Sequence, residues 1–160
     1  MIDISKLLRR NDNKEELQTE FNIKEIEHNY DTIIFEGPII FSGTITNINK
    51  IVTVEGDIEF KFRINCYSCN DEFEYMQKMS IKETFMQSPN EDEYPILSEQ
   101  IDLEQAIKDN LILRLPTRFL CKEDCKGICQ DCGKNLNNGK CNCTDSKIDP
   151  RFEKLRQLLK

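Results

Sequence analysis

The cysteines are the residues of this chain whose type and spacing could do chemistry. Six of the eight fall within residues 121–143, in the pattern Cys-x3-Cys-x3-Cys-x2-Cys-x8-Cys-x-Cys, and the other two form an isolated Cys66-Tyr-Ser-Cys69. Thiolate sulfur is a preferred ligand of zinc, and a structural zinc ion takes four ligands in a tetrahedron. The count and the spacing therefore predict two zinc ions per chain.

The spacing also predicts how the ligands divide. Cys129-Gln-Asp-Cys132-Gly133 is a zinc knuckle, because two intervening residues let both sulfurs reach one ion and glycine accepts the left-handed turn that follows. Cys141 and Cys143, across an eight-residue loop, are the natural second pair of that site. The cysteines left for the other site are Cys66, Cys69, Cys121 and Cys125.

Two alternatives to this division stay open. Cys125 could exchange roles with a cysteine of the other site. Cys66 and Cys69 could also be free, buried thiols that behave as small apolar residues. If the division holds, the first site binds residues 66–69 to the start of the cysteine-rich segment.

Alternating hydrophobicity places Cys66 and Cys69 between two strands. Apolar residues alternate with charged ones over residues 58–64, and again over residues 73–85. Shorter strands are predicted near residues 39–45 and 51–54. This pattern indicates an antiparallel sheet with one solvated face, and it puts the two cysteines at the tip of a long hairpin. Asn70, which follows them, tolerates the left-handed conformation that such a turn needs.

Helices are predicted on both sides of the cysteine-rich segment. Asp102 is a helix N-cap with Gln105 as its capping-box partner, and the helix must end before Pro116. A second helix is expected to begin at Asp149-Pro150 and to dock on the chain's own body. Residues 14–21 are expected to form a helical turn or loop, and His28 is expected to be a surface or turn residue.

These elements together predict an α+β fold. We expect a mainly antiparallel β-sheet or barrel-like body with one or two helices, followed by a C-terminal zinc-ribbon-like segment. The predicted domains are residues 1–118, which hold the β body and the helix near 102–114, and residues 119–160, which hold the zinc-binding segment and the C-terminal helix.

Charge is distributed unevenly along the chain. Residues 1–110 carry 11 basic and 23 acidic side chains, whereas residues 111–160 carry 11 and 6. A basic segment behind an acidic body can contact the phosphates of nucleic acid. The candidates for RNA contact are Arg114, Arg118, Lys122, Lys126, Lys134 and Lys140. The alternative is that these cations lower the pKa of the neighbouring thiols and offset thiolate charge.

Enzyme motifs do not occur in the sequence. It has no P-loop, no glycine-rich dinucleotide turn and no nucleophile elbow. Histidine occurs once, so a catalytic zinc site with histidine ligands is not favoured either. We therefore predict a protein that is not an enzyme and has no small-molecule substrate.

The sequence also predicts the cellular compartment of the protein. No stretch approaches the roughly 20 apolar residues of a membrane span, and the first residues lack the pattern of a signal peptide. We expect a cytoplasmic protein with no membrane contact, in which thiols stay reduced. A secreted disulfide scaffold is the rival interpretation, and the closeness of Cys141 and Cys143 speaks against it.

Several segments together resemble a known family. They are Cys66-x2-Cys69 between strands, residues 102–116, residues 120–137, and the closing Asp149-Pro-Arg-Phe. The combination resembles the YceD family of bacterial and plastid proteins, which are linked to accumulation of large-subunit ribosomal RNA, and the cysteine-rich segment resembles its Gram-positive branch. Ser68 departs from the pattern, since many relatives carry Arg there, so a contact made by that Arg would be missing here.

The resemblance implies a function without catalysis. It implies a bacterial factor in ribosome biogenesis, acting in synthesis, processing or stability of large-subunit ribosomal RNA. The implied partners are ribosomal RNA, a ribosomal protein or an rRNA-processing factor. Some relatives keep the first cysteine pair and lack the last four-cysteine cluster, which implies that the two sites are separable. The alternative function is a redox-sensitive zinc switch, in which oxidation of the thiolates ejects the metal.

Overall fold

The computed structural model describes residues 1–9, 13–29, 31–91 and 93–143. The strands of the described residues are β1 Ile2–Asp3, β2 Asn13–Phe21, β3 Glu25–His28, β4 Asp31–Ile34, β5 Ile39–Ile48, β6 Ile51–Asn65, β7 Glu72–Met86, β8 Tyr94–Pro95 and β9 Gln100–Ile101. The helices are α1 Ser5–Leu8 and α2 Leu103–Arg114, and Leu136–Asn138 is a short 3₁₀ turn. The helix predicted after Asp149 lies outside the described residues.

Five strands form the main sheet, in the order β2-β5-β6-β7-β8. Neighbouring strands are antiparallel except β7 and β8, which pair in parallel. The α+β prediction with a mainly antiparallel sheet is confirmed. Within the described residues the two end strands, β2 and β8, pair with different inner strands, so the sheet is open and the barrel-like alternative does not apply.

The hairpin of β6 and β7 is the longest element of the sheet. Each strand has 15 residues, and their pairing continues to Asn65 and Glu72. Strand β5 stops pairing with β6 at Glu59, so the last part of the hairpin extends beyond its β5 neighbour. Residues 66–71 join the two strands at the hairpin tip, as predicted.

Alternation along these strands separates an apolar face from a charged one. The buried residues of β6 and β7 on the apolar face are Val52, Val54, Ile58, Phe60, Phe62, Met79, Ile81 and Phe85. Helix α2 is packed into the same core through Leu103, Ala106, Ile107 and Leu111. On the opposite face the Lys78 ammonium lies 3.2 Å from Asp57 and 3.0 Å from Glu59. Such exposed pairs contribute little to stability, so this face is the solvated face that the sequence predicts.

Helix α2 begins and ends where its sequence predicts. The Asp102 carboxylate accepts a hydrogen bond of 3.1 Å from the Gln105 N–H, and the helix ends at Arg114, with Leu115 extended before Pro116. The Gln105 side chain donates to Asp109 instead of returning to the cap, so the reciprocal half of the predicted capping box is not formed. In the part of the chain that the structure describes, no helix is long and apolar enough to cross a membrane.

Two expectations for the N-terminal half are wrong. Residues 14–21 lie within β2, which pairs with β5 over its whole length, because Leu17, Thr19 and Phe21 share one face with a period of two. His28 is buried at the end of β3, where its ring packs 6.3 Å from the ring of Phe119. These contacts hold the small sheet of β3 and β4 against the chain segment that follows α2.

Candidate metal centres

Four sulfur atoms meet at the tip of the β6–β7 hairpin. Cys66 and Cys69 come from the turn itself, whereas Cys121 and Cys125 come from the segment after α2. We call this group the hairpin site. The four sulfurs lie within 4.8 Å of one another, with Cys66 Sγ 3.7 Å from Cys125 Sγ and Cys69 Sγ 3.6 Å from Cys121 Sγ.

The other four sulfur atoms form a second group, which we call the ribbon site. Its members are Cys129, Cys132, Cys141 and Cys143, again within 4.8 Å of one another, and Cys129 Sγ lies 3.5 Å from Cys141 Sγ. Gly133 has a φ of 71°, the left-handed turn expected after the knuckle. The cysteines are therefore brought together in the division that the spacing favours, with Cys125 in the hairpin site.

The sulfur spacing fits a metal ion better than a disulfide. A tetrahedron of Zn–S bonds of about 2.3 Å places its sulfurs about 3.8 Å apart, whereas a disulfide needs about 2.05 Å. Pairs at 3.5–3.7 Å are close to the first value, and all eight cysteines are free thiols. Each group could hold one metal ion. Four sulfurs would complete its coordination and leave no position for a reacting water, as in structural sites.

Backbone hydrogen bonds shape the tip that carries Cys66 and Cys69. The Cys66 N–H donates to the Asp71 carbonyl and the Asn70 N–H to the Cys66 carbonyl, both at 2.9 Å. Asn70 has a φ of 60°, so its predicted left-handed conformation is confirmed. The tip is thus a closed turn that directs both sulfurs toward one point.

An aromatic cluster fixes the segment that brings Cys121 to the tip. The Phe119 ring is buried and packs edge-on against Phe62 and Tyr75, with centroids 5.5 and 5.1 Å apart. The Phe119 carbonyl accepts a hydrogen bond of 2.9 Å from the Tyr67 N–H. Cys121 is two residues further on, so the packing of one phenyl ring sets the position of a metal-ligand candidate.

The chain segment between the two sites packs directly against the hairpin tip. The Ile128 N–H donates to the Ser68 carbonyl at 3.0 Å, and Gly127, with a φ of 70°, is buried beside it. A Cβ at Gly127 would lie 2.9 Å from the same carbonyl oxygen. Ser68 therefore contacts the cysteine-rich segment through its backbone carbonyl. Any residue at this position has that carbonyl, so the contact does not depend on the serine side chain.

Without a metal ion, the sulfurs of the hairpin site differ in how easily they ionise. Burial raises the pKa of Cys66, but the N–H groups of Cys121, Cys69 and Ser68 donate to its sulfur and lower that pKa to about 6. For Cys69 the N–H of Asp71 lowers the pKa, but burial and the neighbouring sulfurs outweigh it and raise the pKa to about 12. The Cys66 thiol therefore ionises more readily than the Cys69 thiol, and a binding metal ion must displace the protons that remain on the site.

The ribbon site has the same asymmetry. Hydrogen bonds from the N–H groups of Cys132 and Asp131 lower the pKa of Cys129 to about 7. The hydrogen bond between the sulfurs of Cys132 and Cys143, together with burial, raises the pKa of Cys143 to about 12. Metal binding at either site is therefore coupled to proton release.

The six predicted RNA-contact cations are all exposed. Two of them have structural partners: the Arg114 guanidinium donates to the Ser80 carbonyl of β7, and the Lys134 ammonium donates to the Lys140 carbonyl at 3.0 Å. Arg118, Lys122 and Lys126 also lie near the segment that builds the hairpin site. Contact with RNA stays a prediction for this set.

Two asparagines at the metal centres were not singled out as site residues by sequence reasoning. The Asn137 side-chain amide donates to Cys125 Sγ at 3.3 Å, and the Asn135 amide donates to the Asp71 carboxylate at 2.6 Å. The hydrogen bond from Asn137 lowers the pKa of the Cys125 thiol. The sequence feature that could have identified them is the Asn-Leu-Asn run in the loop of the ribbon site, because Asn side chains commonly form hydrogen bonds with the backbone of turns.

The fold and the two sulfur clusters define a class of protein: an open, mainly antiparallel sheet that carries a cysteine ribbon able to hold metal. Residues 54–159 match the family model described as large ribosomal RNA subunit accumulation protein YceD. The match covers more than half of the sequence, and the chain belongs to the YceD family. No solved structure matches the chain at a significant level.

Similar proteins occur in bacteria and plants. An uncharacterized protein of Mycobacterium tuberculosis is 29% identical over 123 residues, which are 72% of this chain and 59% of that protein. A chloroplastic protein of Arabidopsis thaliana, named large ribosomal RNA subunit accumulation protein YCED homolog 1, is 34% identical over 65 residues, 41% of this chain and 20% of that protein. The chain thus matches about three fifths of the length of the mycobacterial relative.

Serine substitutions at the two sites are expected to remove one metal ion each. Cys132→Ser takes a ligand from the ribbon site and Cys66→Ser takes one from the hairpin site, so at saturating metal each variant should bind one ion per chain instead of two. Cys66→Ser should also make residues 115–125 more accessible to proteases, because metal ligation contributes to folding. Elemental analysis and limited proteolysis measure both effects. Ser68→Ala is the matched control and should keep both ions; unchanged metal content in the cysteine variants would contradict the assignment.

The pH dependence of metal binding follows from the thiol pKa values. Affinity should rise with pH, because each protonated thiol must lose its proton to bind. Below a pH of about 6 the Cys66 thiol is protonated as well, so the slope of log affinity against pH should steepen by one proton there. Competition with a chromophoric chelator in the Cys132→Ser variant, which isolates the hairpin site, measures this slope. An affinity independent of pH would contradict thiolate ligation.

Proposed function

We propose that this chain is a non-enzymatic factor in large-subunit ribosomal RNA synthesis, processing or stability, and that zinc stabilises its binding surface. The observation that carries the proposal is the pairing of two facts. The chain belongs to a family described by accumulation of large-subunit ribosomal RNA, and each of its two groups of four cysteine sulfurs could hold one metal ion. A factor of this kind acts by binding, since a metal with four protein ligands offers no reactive position.

Zinc is the proposed metal at both sites, with two ions per chain. Four cysteine sulfurs and no other ligand type make up each described group, and tetrahedral sets of this kind select zinc or iron–sulfur chemistry. The sulfur pairs at 3.5–3.7 Å favour a single ion in each group, because these distances are close to the edge of one MS₄ tetrahedron with a sulfur at each corner.

The proposed organisation follows the same division. Residues 1–118 form the platform that supports the hairpin tip, and residues 119–160 form the binding segment. The proposed partners are ribosomal RNA, a ribosomal protein or an rRNA-processing factor in the bacterial cytoplasm. The proposed RNA contacts are the six exposed cations from Arg114 to Lys140.

The charge of the metal centres limits how such a segment can bind RNA. Residues 119–143 carry four lysines and three acidic side chains. A zinc ion with four thiolates has a charge of about −2, so two loaded sites turn the small positive balance of this segment into a net charge of about −3. Long-range attraction to phosphate is therefore weak, and the proposed contact depends on individually placed cations and on shape.

Salt dependence tests this mode of binding. If all six cations contact single-stranded rRNA phosphates, log affinity should fall with log salt with a slope no steeper than about −4, at roughly −0.7 per contact. Metal-loaded protein is titrated with large-subunit rRNA fragments and with precursor particles at several salt concentrations. The double variant Lys122→Ala/Lys126→Ala should flatten the slope by about 1.4 units, whereas Lys82→Ala on the solvated sheet face should leave it unchanged. No association with RNA, ribosomal protein or precursor particles at low salt would contradict the proposed function.

One observation favours the redox switch as a second candidate function. Cys132 of the ribbon site is exposed, whereas Cys66 and Cys69 of the hairpin site are buried, at 2% and 3% exposure. A peroxide would oxidise two ribbon thiolates to a disulfide; its O–O bond would take two electrons and two protons to give two waters, and zinc would leave. Mild peroxide should then release one ion per chain before the second. Retention of both ions would contradict the switch and leave the ribosomal role untouched.

A further inference from the structure

The loop that closes the ribbon site also touches the hairpin site. Asn135, Leu136 and Asn137 lie between Cys132 and Cys141, in the eight-residue loop of the ribbon site. The Asn137 side chain nevertheless donates a hydrogen bond of 3.3 Å to the sulfur of Cys125, which belongs to the other group. Asn137 thus lies in the loop of the ribbon site but contacts a sulfur of the hairpin site.

Both ends of the Asn137 amide have partners, which fixes its orientation. Its Nδ2 donates to the Cys125 sulfur, and its Oδ1 accepts from the Lys126 N–H at 3.0 Å. Its own backbone N–H donates to the Asn135 side chain at 2.9 Å, at the start of the 3₁₀ turn. The amide therefore points its donor at the sulfur, where an N–H group stabilises the thiolate that a metal ion requires.

The same loop is attached to the chain around the hairpin site at two more points. The Leu136 N–H donates to the Gly127 carbonyl at 2.9 Å, and Asn135 forms a β-bridge with Ile128. The Asn135 amide also donates to Asp71, at the foot of the hairpin tip. These contacts depend on the loop keeping its shape, and the sulfurs of Cys132, Cys141 and Cys143 hold that loop at its two ends.

We propose that Asn137 is a positioning residue of the hairpin site and that it couples the two metal centres. A metal ion in the ribbon site orders the loop, the ordered loop holds the Asn137 amide on Cys125, and the hairpin site then binds its own metal ion more tightly. Because such coupling is reciprocal, a filled hairpin site tightens binding at the ribbon site by the same factor. Loading is cooperative, in contrast to the separable sites that the family resemblance implies. This inference depends on the metal sites of the proposed function.

The test measures the metal affinity of the hairpin site in four full-length proteins. They are the wild type, Asn137→Leu, Cys132→Ser and the double variant. Each is titrated with cadmium under chelator competition, and cadmium NMR assigns each resonance to its site. Asn137→Leu keeps the branched shape of the side chain and all eight sulfurs but removes the donor, so hairpin-site affinity should fall about 10- to 100-fold. Cys132→Ser, which empties the ribbon site, should lower the same affinity by a similar factor.

The double variant tests whether Asn137→Leu and Cys132→Ser lower hairpin-site affinity through the same interaction. If Asn137 carries the coupling, adding Cys132→Ser to Asn137→Leu should lower hairpin-site affinity by less than threefold more, because the coupling is already lost. The inference would be overturned if the double variant lost affinity by the product of the two single-variant factors. It would also be overturned if the hairpin-site affinity of Asn137→Leu lay within twofold of the wild type. Asn138→Leu, at the exposed neighbouring position, is the matched control and should bind as the wild type does.

Two further readouts separate this inference from the proposals on which it depends. If the wild type binds no cadmium or zinc with thiolate spectroscopic signatures, the metal assignment itself fails. If both ions bind independently, the metal assignment stands and the coupling alone fails. The unfolding transition of the sheet in metal-free protein, followed by circular dichroism, should be the same in all four proteins. If Asn137→Leu lowers it, Asn137→Ser takes its place, because it removes the amide donor with a smaller side chain.

Discussion

The hairpin site is the constraint on which the rest of the described cysteine-rich segment depends. Cys66 and Cys121 are 55 residues apart in sequence, yet the Cys121 N–H lies 3.4 Å from the Cys66 sulfur. After Phe119, Gly127 is the sole buried residue through the last described position, Cys143. A segment with so little buried apolar surface cannot be stabilised by a hydrophobic core of its own. Hydrogen bonds to the hairpin supply part of that stability, and sulfur ligation of the proposed metal ions would supply the rest, as in other small metal-built modules.

The body of the protein brings together the two chain segments that carry the cysteines of the hairpin site. Strands β6 and β7 carry the tip beyond the end of β5, and α2 returns the chain toward that tip before Pro116 stops the helix. Phe119 then anchors the returning segment in a cluster with Phe62 and Tyr75. Apolar packing thus sets the approach of two chain segments, and the sulfurs can meet without distorting either of them.

The parts of this arrangement that the sequence predicts are those governed by local chemistry. Cysteine spacing constrains which sulfurs can reach one ion, and strict alternation along β6 and β7 identifies a sheet with one wet face. Strand β2 was missed because Glu15 falls on the same face as Leu17, Thr19 and Phe21 and interrupts the period of two. Strand β2 is an edge strand, where charges protect an open edge. The burial of His28 depends on Phe119, 91 positions away, and no local pattern encodes that contact. The bond from Asn137 to Cys125 likewise exists only after the loop has folded.

If the protein acts as proposed, the chemistry of the sites also bears on how it recognises its partner. Zinc bound at both proposed sites would bring negative charge to the segment that carries the candidate cations, so metal loading would weaken phosphate attraction while it orders the surface. Specific recognition benefits from that exchange, because a surface that attracts every phosphate discriminates poorly, whereas a rigid one can be matched to a single shape. In the proposed function, the metal centres are the means by which a segment with almost no core presents a fixed arrangement of side chains.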